Sequence, residues 1–187
     1  TELNQEQIPD PYSSAVQKEL QEIAHFSSQL INTNDLLKRY RLYDRQLPDY
    51  FSGFTFTGDD DTSVRHRNIV KDIIDDVWPL VYKLKLHYRR PRPFQLAVLH
   101  DIKIYPMASL TAQCPAYPSM HSTVAQVISG VCGNKFPDAY KFYKELSDDI
   151  GNSRMCMGLC LPSDVEAGKR LADAILNNKE FKLKYGL

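Results

Sequence analysis

The amino-acid sequence predicts an all-α fold, a compact helical bundle. In residues 13–31, 62–88 and 163–176, apolar residues recur at three- and four-residue steps, which places them on one face of a helix. No strand signal of comparable strength accompanies them. With 187 residues, 43% apolar and 25% charged, the chain suits one domain, 1–187, around one core.

In chain order, residues 1–12 are polar and contain Pro9 and Pro11, so they read as an extended N-terminal arm. A helix is predicted from Ser13 to about Ile31, with Val16, Leu20, Ile23, Phe26 and Leu30 on or near its apolar face. From Leu36 to about Asp61, Pro48, Gly53, Gly58 and alternating Phe51, Phe54 and Phe56 suggest a helical turn and then a long aromatic loop. The clearest helix spans Thr62–Tyr88, where Ile69, Ile73, Val77, Leu80, Val81 and Leu84 form a buried stripe. Pro79 is expected to bend or divide it. Tyr88-Arg89-Arg90-Pro91-Arg92-Pro93 then stops it, because each proline forces extended backbone on its predecessor. Shorter helices are expected at Ser122–Val131, from Pro137 to about Ile150, and from Ser163 to about Leu176. Ser163 and Glu166 would form a capping box for the last, which buries Val165, Ala167, Leu171 and Ile175. Residues 177–187 read as a polar tail.

Formal net charge is zero, so the bulk field favours neither nucleic acid nor an anionic membrane. No apolar run approaches the roughly 18–20 residues of a membrane span. Thr1 is not an initiator methionine, which leaves open a removed leader and, with it, a periplasmic or secreted location. Cys114, Cys132, Cys156 and Cys160 permit two disulfides in three connectivities or four free thiols, and the reading favours free thiols.

Three polar clusters sit at helix ends. Lys83, Lys85, His87, Arg89, Arg90 and Arg92 form a basic patch that either complements a helix dipole or binds an anion. Tyr117-Pro118-Ser119-Met120-His121-Ser122 precedes an apolar helix. There a serine is an ordinary cap, but unpaired N–H groups beside a hydroxyl and an imidazole also suit an anion that exchanges a proton. The third cluster is Ser153-Arg154, Cys160 and Asp164. Each alone has an ordinary structural explanation; their order and spacing together carry more.

Together they resemble the type 2 phosphatidic acid phosphatase and vanadium haloperoxidase superfamily. Its pattern is Lys, six residues, Arg-Pro; then Pro-Ser-Gly-His; then Ser-Arg, five residues, His, three residues, Asp. Here Lys85 and Arg92-Pro93 match the first part, extended by Phe94 as in the soluble members. Lys83 with Arg90-Pro91 has the same spacing, but the surrounding residues favour Lys85 with Arg92. Pro118, Ser119 and His121 match the second part, with Met120 in place of glycine. Ser153, Arg154 and Asp164 match the third, with Cys160 at the histidine position. The motifs span less than half of the chain.

The resemblance implies a helical bundle of the soluble acid phosphatase or haloperoxidase type. It also implies that Lys85, Arg92 and Arg154 clamp phosphoryl oxygens, with the Ser119 hydroxyl and the Met120 N–H contributing. His121 would protonate the leaving group. In the family the third-motif histidine attacks phosphorus, oriented by the aspartate, here Asp164. Two departures qualify this. Met120 lacks glycine's freedom at positive φ and narrows the entrance. Cys160 removes the imidazole that Asp164 would orient, although sulfur can itself attack phosphorus. The expectation is a domain that binds inorganic phosphate or a small phosphorylated molecule, with phosphomonoesterase chemistry lost or strongly weakened. The alternatives are a hydrolase using Cys160 as nucleophile, or a different reaction with His121 as acid or base. In the haloperoxidase branch the missing histidine is the vanadium ligand, so no vanadate, other metal or cofactor is expected.

Overall fold

The structure, a computed structural model, describes residues 8–45, 51 and 61–187. Among these residues every regular element is helical. The α-helices are α1 (Ser14–Leu30), α2 (Asn34–Arg45), α3 (Asp61–Tyr88), α4 (Pro93–Ala97), α5 (Met120–Lys135), α6 (Tyr140–Cys156), α7 (Pro162–Asn177) and α8 (Lys179–Tyr185). Short 3-10 turns at Val98–His100 and Pro137–Ala139 extend α4 and lead into α6. Residues 1–7 of the expected arm, and the aromatic stretch after Arg45 apart from buried Phe51, lie outside the described residues.

Helix α5 is the axis of the bundle. It packs against α3, α6 and α7 and is buried on nearly every side, as its run of Val124, Ala125, Val127, Ile128, Val131 and Cys132 requires. Small residues let its neighbours come close. A Cβ on Gly168 of α7 would lie 2.8 Å from the Ser119 carbonyl oxygen and 3.0 Å from the Ser122 Cβ. Glycine there lets α7 seat against the first turn of α5. The Ser119 N–H donates to the Asp164 carbonyl (2.9 Å) and the Ser122 hydroxyl to the Val165 carbonyl (3.0 Å), tying the starts of the two helices together.

Helix α1 buries Val16, Leu20 and Ile23 in a smaller cluster with Leu96, Ala97 and Leu161. Helix α2 extends to Arg45, well beyond the single turn expected, and buries Tyr40, Tyr43 and Asp44. The Tyr40 and Tyr43 hydroxyls both donate to Asp149, at 3.2 and 2.7 Å, and fasten α2 to α6.

Several sequence expectations need correction. Helix α3 runs through Pro79 without interruption. Of its expected stripe, Ile73, Val77, Val81 and Leu84 are buried, whereas Leu80 is 43% exposed and Val70 takes a core position instead. Helix α7 begins at Pro162 without the Ser163–Glu166 box. Asp164, not Glu166, reaches back, accepting the Leu161 N–H at 2.7 Å. Ser163 instead meets Glu19 of α1, its N–H and hydroxyl both donating to that carboxylate. The polar tail contains a helix, α8, capped by the Asn178 side chain, and its Tyr185 hydroxyl donates to Asp76 of α3 at 2.7 Å. All four cysteines are free thiols. Among the described residues no helix is long and apolar enough to cross a membrane.

Candidate functional site

Helix α3 ends where Arg89 adopts φ 50°, a left-handed conformation that glycine usually supplies and that costs a side-chain-bearing residue about 1–2 kcal/mol. The turn releases Arg90-Pro91-Arg92 as a short extended link, as the prolines require, before Arg92 caps α4. The link crosses the entry to α7 and the loop before α5. The Arg90 carbonyl accepts the Ala116 N–H, and the Arg90 side chain donates to Ser163 (2.7 Å) and Asp164 (2.8 Å).

These elements enclose a cavity of about 290 Å³. Lys85, Arg92, Ser119, Met120, His121, Arg154 and Cys160, seven of the residues singled out from the sequence, line it together with Trp78, Tyr82, Leu110, Thr111, Gln113 and Cys114. Asp164 is not in the lining. It is fully buried, with Oδ1 on Arg90 and Oδ2 on the Leu161 N–H. Lys83, the alternative to Lys85 in the basic patch, is exposed on α3 and lies away from the cavity.

Each cation is anchored before any ligand arrives. Lys85 is 1% exposed and donates to the Pro115 and Ala116 carbonyls, both at 2.8 Å, so one of its three protons stays available. Burial pushes its pKa down to about 8, aided by Arg92 and opposed by Cys160, Cys114 and Asp164. Arg92 donates to the Cys114 carbonyl (2.7 Å) and the Leu159 carbonyl (2.8 Å). Its terminal nitrogens also touch two sulfurs, Cys160 at 3.6 Å and Cys114 at 3.5 Å. Thiols are weak acceptors, so an oxyanion can displace them at low cost.

Arg154, in the last turn of α6, forms a buried ion pair with Asp44, Nη1 to Oδ1 at 2.8 Å, both side chains 2% exposed. The Asp44 carboxylate also accepts from the Ser109 and Thr111 hydroxyls, at 2.7 and 2.6 Å. Burial alone would push Asp44 up, but Arg154 and the two hydroxyls outweigh it and hold the carboxyl down at about 2. Sequence reasoning missed this aspartate. Its signal was the register of α2, where Asp44 follows the buried Tyr40 by four residues and so shares the face that packs inward. It missed Arg90 as the partner of Asp164 as well, and nothing local in the sequence marks that pairing.

Ser119 caps α5, its hydroxyl accepting the Ser122 N–H at 3.4 Å. The amides of Met120 and His121 begin the same turn, where an anion would meet backbone N–H groups and the positive end of the helix. Met120 has ordinary helical backbone, so the strain expected from replacing glycine is absent. His121 is 4% exposed and lies among the charges of Arg154, Asp44 and Lys85. Burial, then the charges of Arg154 and Lys85, hold its pKa well below the usual histidine value, which favours the neutral ring. Cys160 lies in the loop between α6 and α7, where its N–H and that of Leu159 both return to the Arg154 carbonyl. The cavity therefore presents three cations, a capped helix N-terminus, a neutral imidazole and two thiols.

Among the described residues no group of three or more histidine, cysteine or acidic side chains is placed to hold a metal ion. No family model matches the chain, and no curated protein matches it.

Proposed function

We infer that the cavity binds the phosphoryl group of a small phosphomonoester, or inorganic phosphate, in the manner of the soluble acid phosphatase and haloperoxidase fold. Hydrolysis is suppressed because Cys160 stands where that chemistry needs an imidazole. The observation that carries the reading is the meeting of Lys85, Arg92 and Arg154 with the N-terminus of α5 in one cavity of a chain whose net charge is zero. Three buried cations facing one space are costly without an anion to compensate them. Asp44 offsets only Arg154, and Asp164 is engaged by Arg90.

A bound phosphoryl group would take the remaining Lys85 proton, displace the sulfurs from Arg92, share Arg154 with Asp44, and accept from the Ser119 hydroxyl and the first amides of α5. Its negative charge would also offset the fields of Arg154 and Lys85 at His121. The imidazole could then carry the proton that a leaving alkoxide requires. Arg154→Lys tests the clamp while keeping a charge beside Asp44. Losing the planar two-pronged donor is expected to weaken phosphate binding about tenfold, read by calorimetry. Unchanged affinity would reduce Arg154 to a structural partner of Asp44.

The clamp also sets a pH dependence. An anion would raise the Lys85 pKa above about 8, so binding takes up a proton, and affinity falls as pH rises through and beyond 8. A phosphomonoester is already a dianion there, its second ionisation lying near about 6, so the ligand does not oppose the trend. Calorimetry at pH 7.5 and 9.5 is expected to show about tenfold or greater weakening, with net proton uptake in paired buffers. A flat profile would mean that Lys85 does not contact the ligand as a cation.

A second reading, hydrolysis through Cys160, is favoured by one contact: Arg92 Nη1 lies 3.6 Å from the sulfur, placing a cation beside the candidate nucleophile. A phosphate adduct on Cys160 during turnover would identify it.

A further inference from the structure

The floor of the cavity is cationic, but its mouth is aromatic. Trp78, Tyr82 and Lys85 succeed one another at four- and three-residue steps on α3 and all line the cavity, so one helix face runs from rings at the entrance to a charge at depth. Exposure follows the same gradient: Trp78 is 38% and Tyr82 43% exposed, while Lys85 is 1%. Leu110, 73% exposed, also lines the cavity. Its position is fixed, because its N–H and the hydroxyls of Ser109 and Thr111 all donate to buried Asp44. The rim is thus built on a helix and a pinned loop.

Exposed tryptophan and tyrosine beside a polar pocket are costly to leave wet and offer flat apolar area at small entropic cost on ligand binding. At about 290 Å³ the cavity lies at the lower edge of the roughly 300–1,000 Å³ typical of small-molecule sites. That is room for a phosphoryl group and about one ring.

We propose that Trp78, Tyr82 and Leu110 form a subsite for a single aromatic ring, making the ligand an aryl or arylalkyl phosphomonoester. This rests on the phosphate-pocket reading above and adds the class of the alcohol part. The ring stacks against Trp78 and Tyr82 while the phosphoryl group reaches Lys85, Arg92 and Arg154.

Benzylphosphonate and methylphosphonate, neither hydrolysable at a P–O ester, separate the two halves of the claim. Calorimetry is expected to show benzylphosphonate binding about five- to tenfold more tightly than methylphosphonate. Trp78 is the chain's single tryptophan, so the aryl ligand should also change intrinsic fluorescence. In Trp78→Ala and in Tyr82→Ala, both changes at partly exposed positions, the aryl advantage is expected to fall to about twofold or less while methylphosphonate affinity stays unchanged. Equal affinity of the two phosphonates for the parent protein overturns the ring subsite and leaves the phosphate pocket standing. Loss of both ligands alike in the variants also overturns the subsite, since the rings would then only shape the clamp. Binding of neither phosphonate nor inorganic phosphate to the parent protein overturns both readings.

Discussion

Asp44→Ala is expected to cost about 3–5 kcal/mol of folding stability, the largest single-residue effect foreseen for this protein. Asp44 is 3% exposed, and its carboxylate bonds the Arg154 guanidinium, two hydroxyls and the Leu110 N–H. Removing it leaves a guanidinium buried without its counter-charge and frees the loop that closes the cavity mouth. That penalty comes from the charge left behind, so it is larger than the net worth of the pair. Urea denaturation should show the midpoint falling with little change in slope. An exposed pair such as Lys71–Asp75, at 2.9 Å, supplies the contrast, since solvent screens it and its loss should leave the midpoint nearly unchanged. Acid should act on the parent protein through the same group. With its folded pKa held at about 2, below the unfolded carboxylate value, Asp44 contributes full stability above the ordinary carboxylate range. It loses that contribution as pH falls toward 2. A stability loss under about 1 kcal/mol in Asp44→Ala would mean that Arg154 finds another partner.

Helix faces were readable because apolar periodicity is a local signal. Val16, Leu20 and Ile23 on α1, and Val165, Ala167, Leu171 and Ile175 on α7, are buried as their spacing predicts. Leu80 shows where periodicity stops short: it sits at the edge of the α3 stripe, roughly 60° round the helix from Val77 and on the side away from Trp78 and Tyr82, and it is exposed there. Pro79 did not divide α3, and the expected Ser163 cap gave way to Asp164 because Glu19 of α1 claims Ser163. The cations of the site could be selected by motif spacing, since spacing along the chain is what motifs record. Their counter-ions could not. Asp44 is 110 residues from Arg154, and Arg90 is 74 from Asp164. Such pairs are chosen by packing, and a single sequence carries no trace of them beyond an acidic residue on an apolar helix face. The Arg90 pair also alters the meaning of Asp164. An aspartate that anchors the start of α7 and the Arg90-Pro91-Arg92 link has a reason to be present whether residue 160 is histidine or cysteine.

Cys160→His is expected to raise phosphomonoester turnover at least about a hundredfold above the unmodified protein, well below the roughly millionfold that losing a nucleophile alone can cost. Cys160 is 2% exposed, lines the cavity, and lies beside Arg92. A ring there can use open cavity volume on one side. On the other it meets the segment leading to Asp164, the group that would set its tautomer. That carboxylate already serves Arg90 and the Leu161 N–H, but two oxygens offer about four lone-pair positions, so an imidazole N–H can be accepted without breaking either bond. The remaining parts need not move: Lys85, Arg92 and Arg154 would stabilise the charge on the transferring group, and His121 would return a proton to the leaving oxygen. p-Nitrophenyl phosphate turnover provides the readout, and His121→Ala in the same background should abolish the gain. Robust turnover by the unmodified protein, with a phosphate adduct on Cys160 in mass spectra, would show that sulfur has taken over the attack. No gain with phosphate binding intact would place the defect in the geometry around Asp164, where Arg90 would be holding the carboxylate away from residue 160. Arg90→Gln combined with Cys160→His would then separate an aspartate held out of reach from one with no part in catalysis.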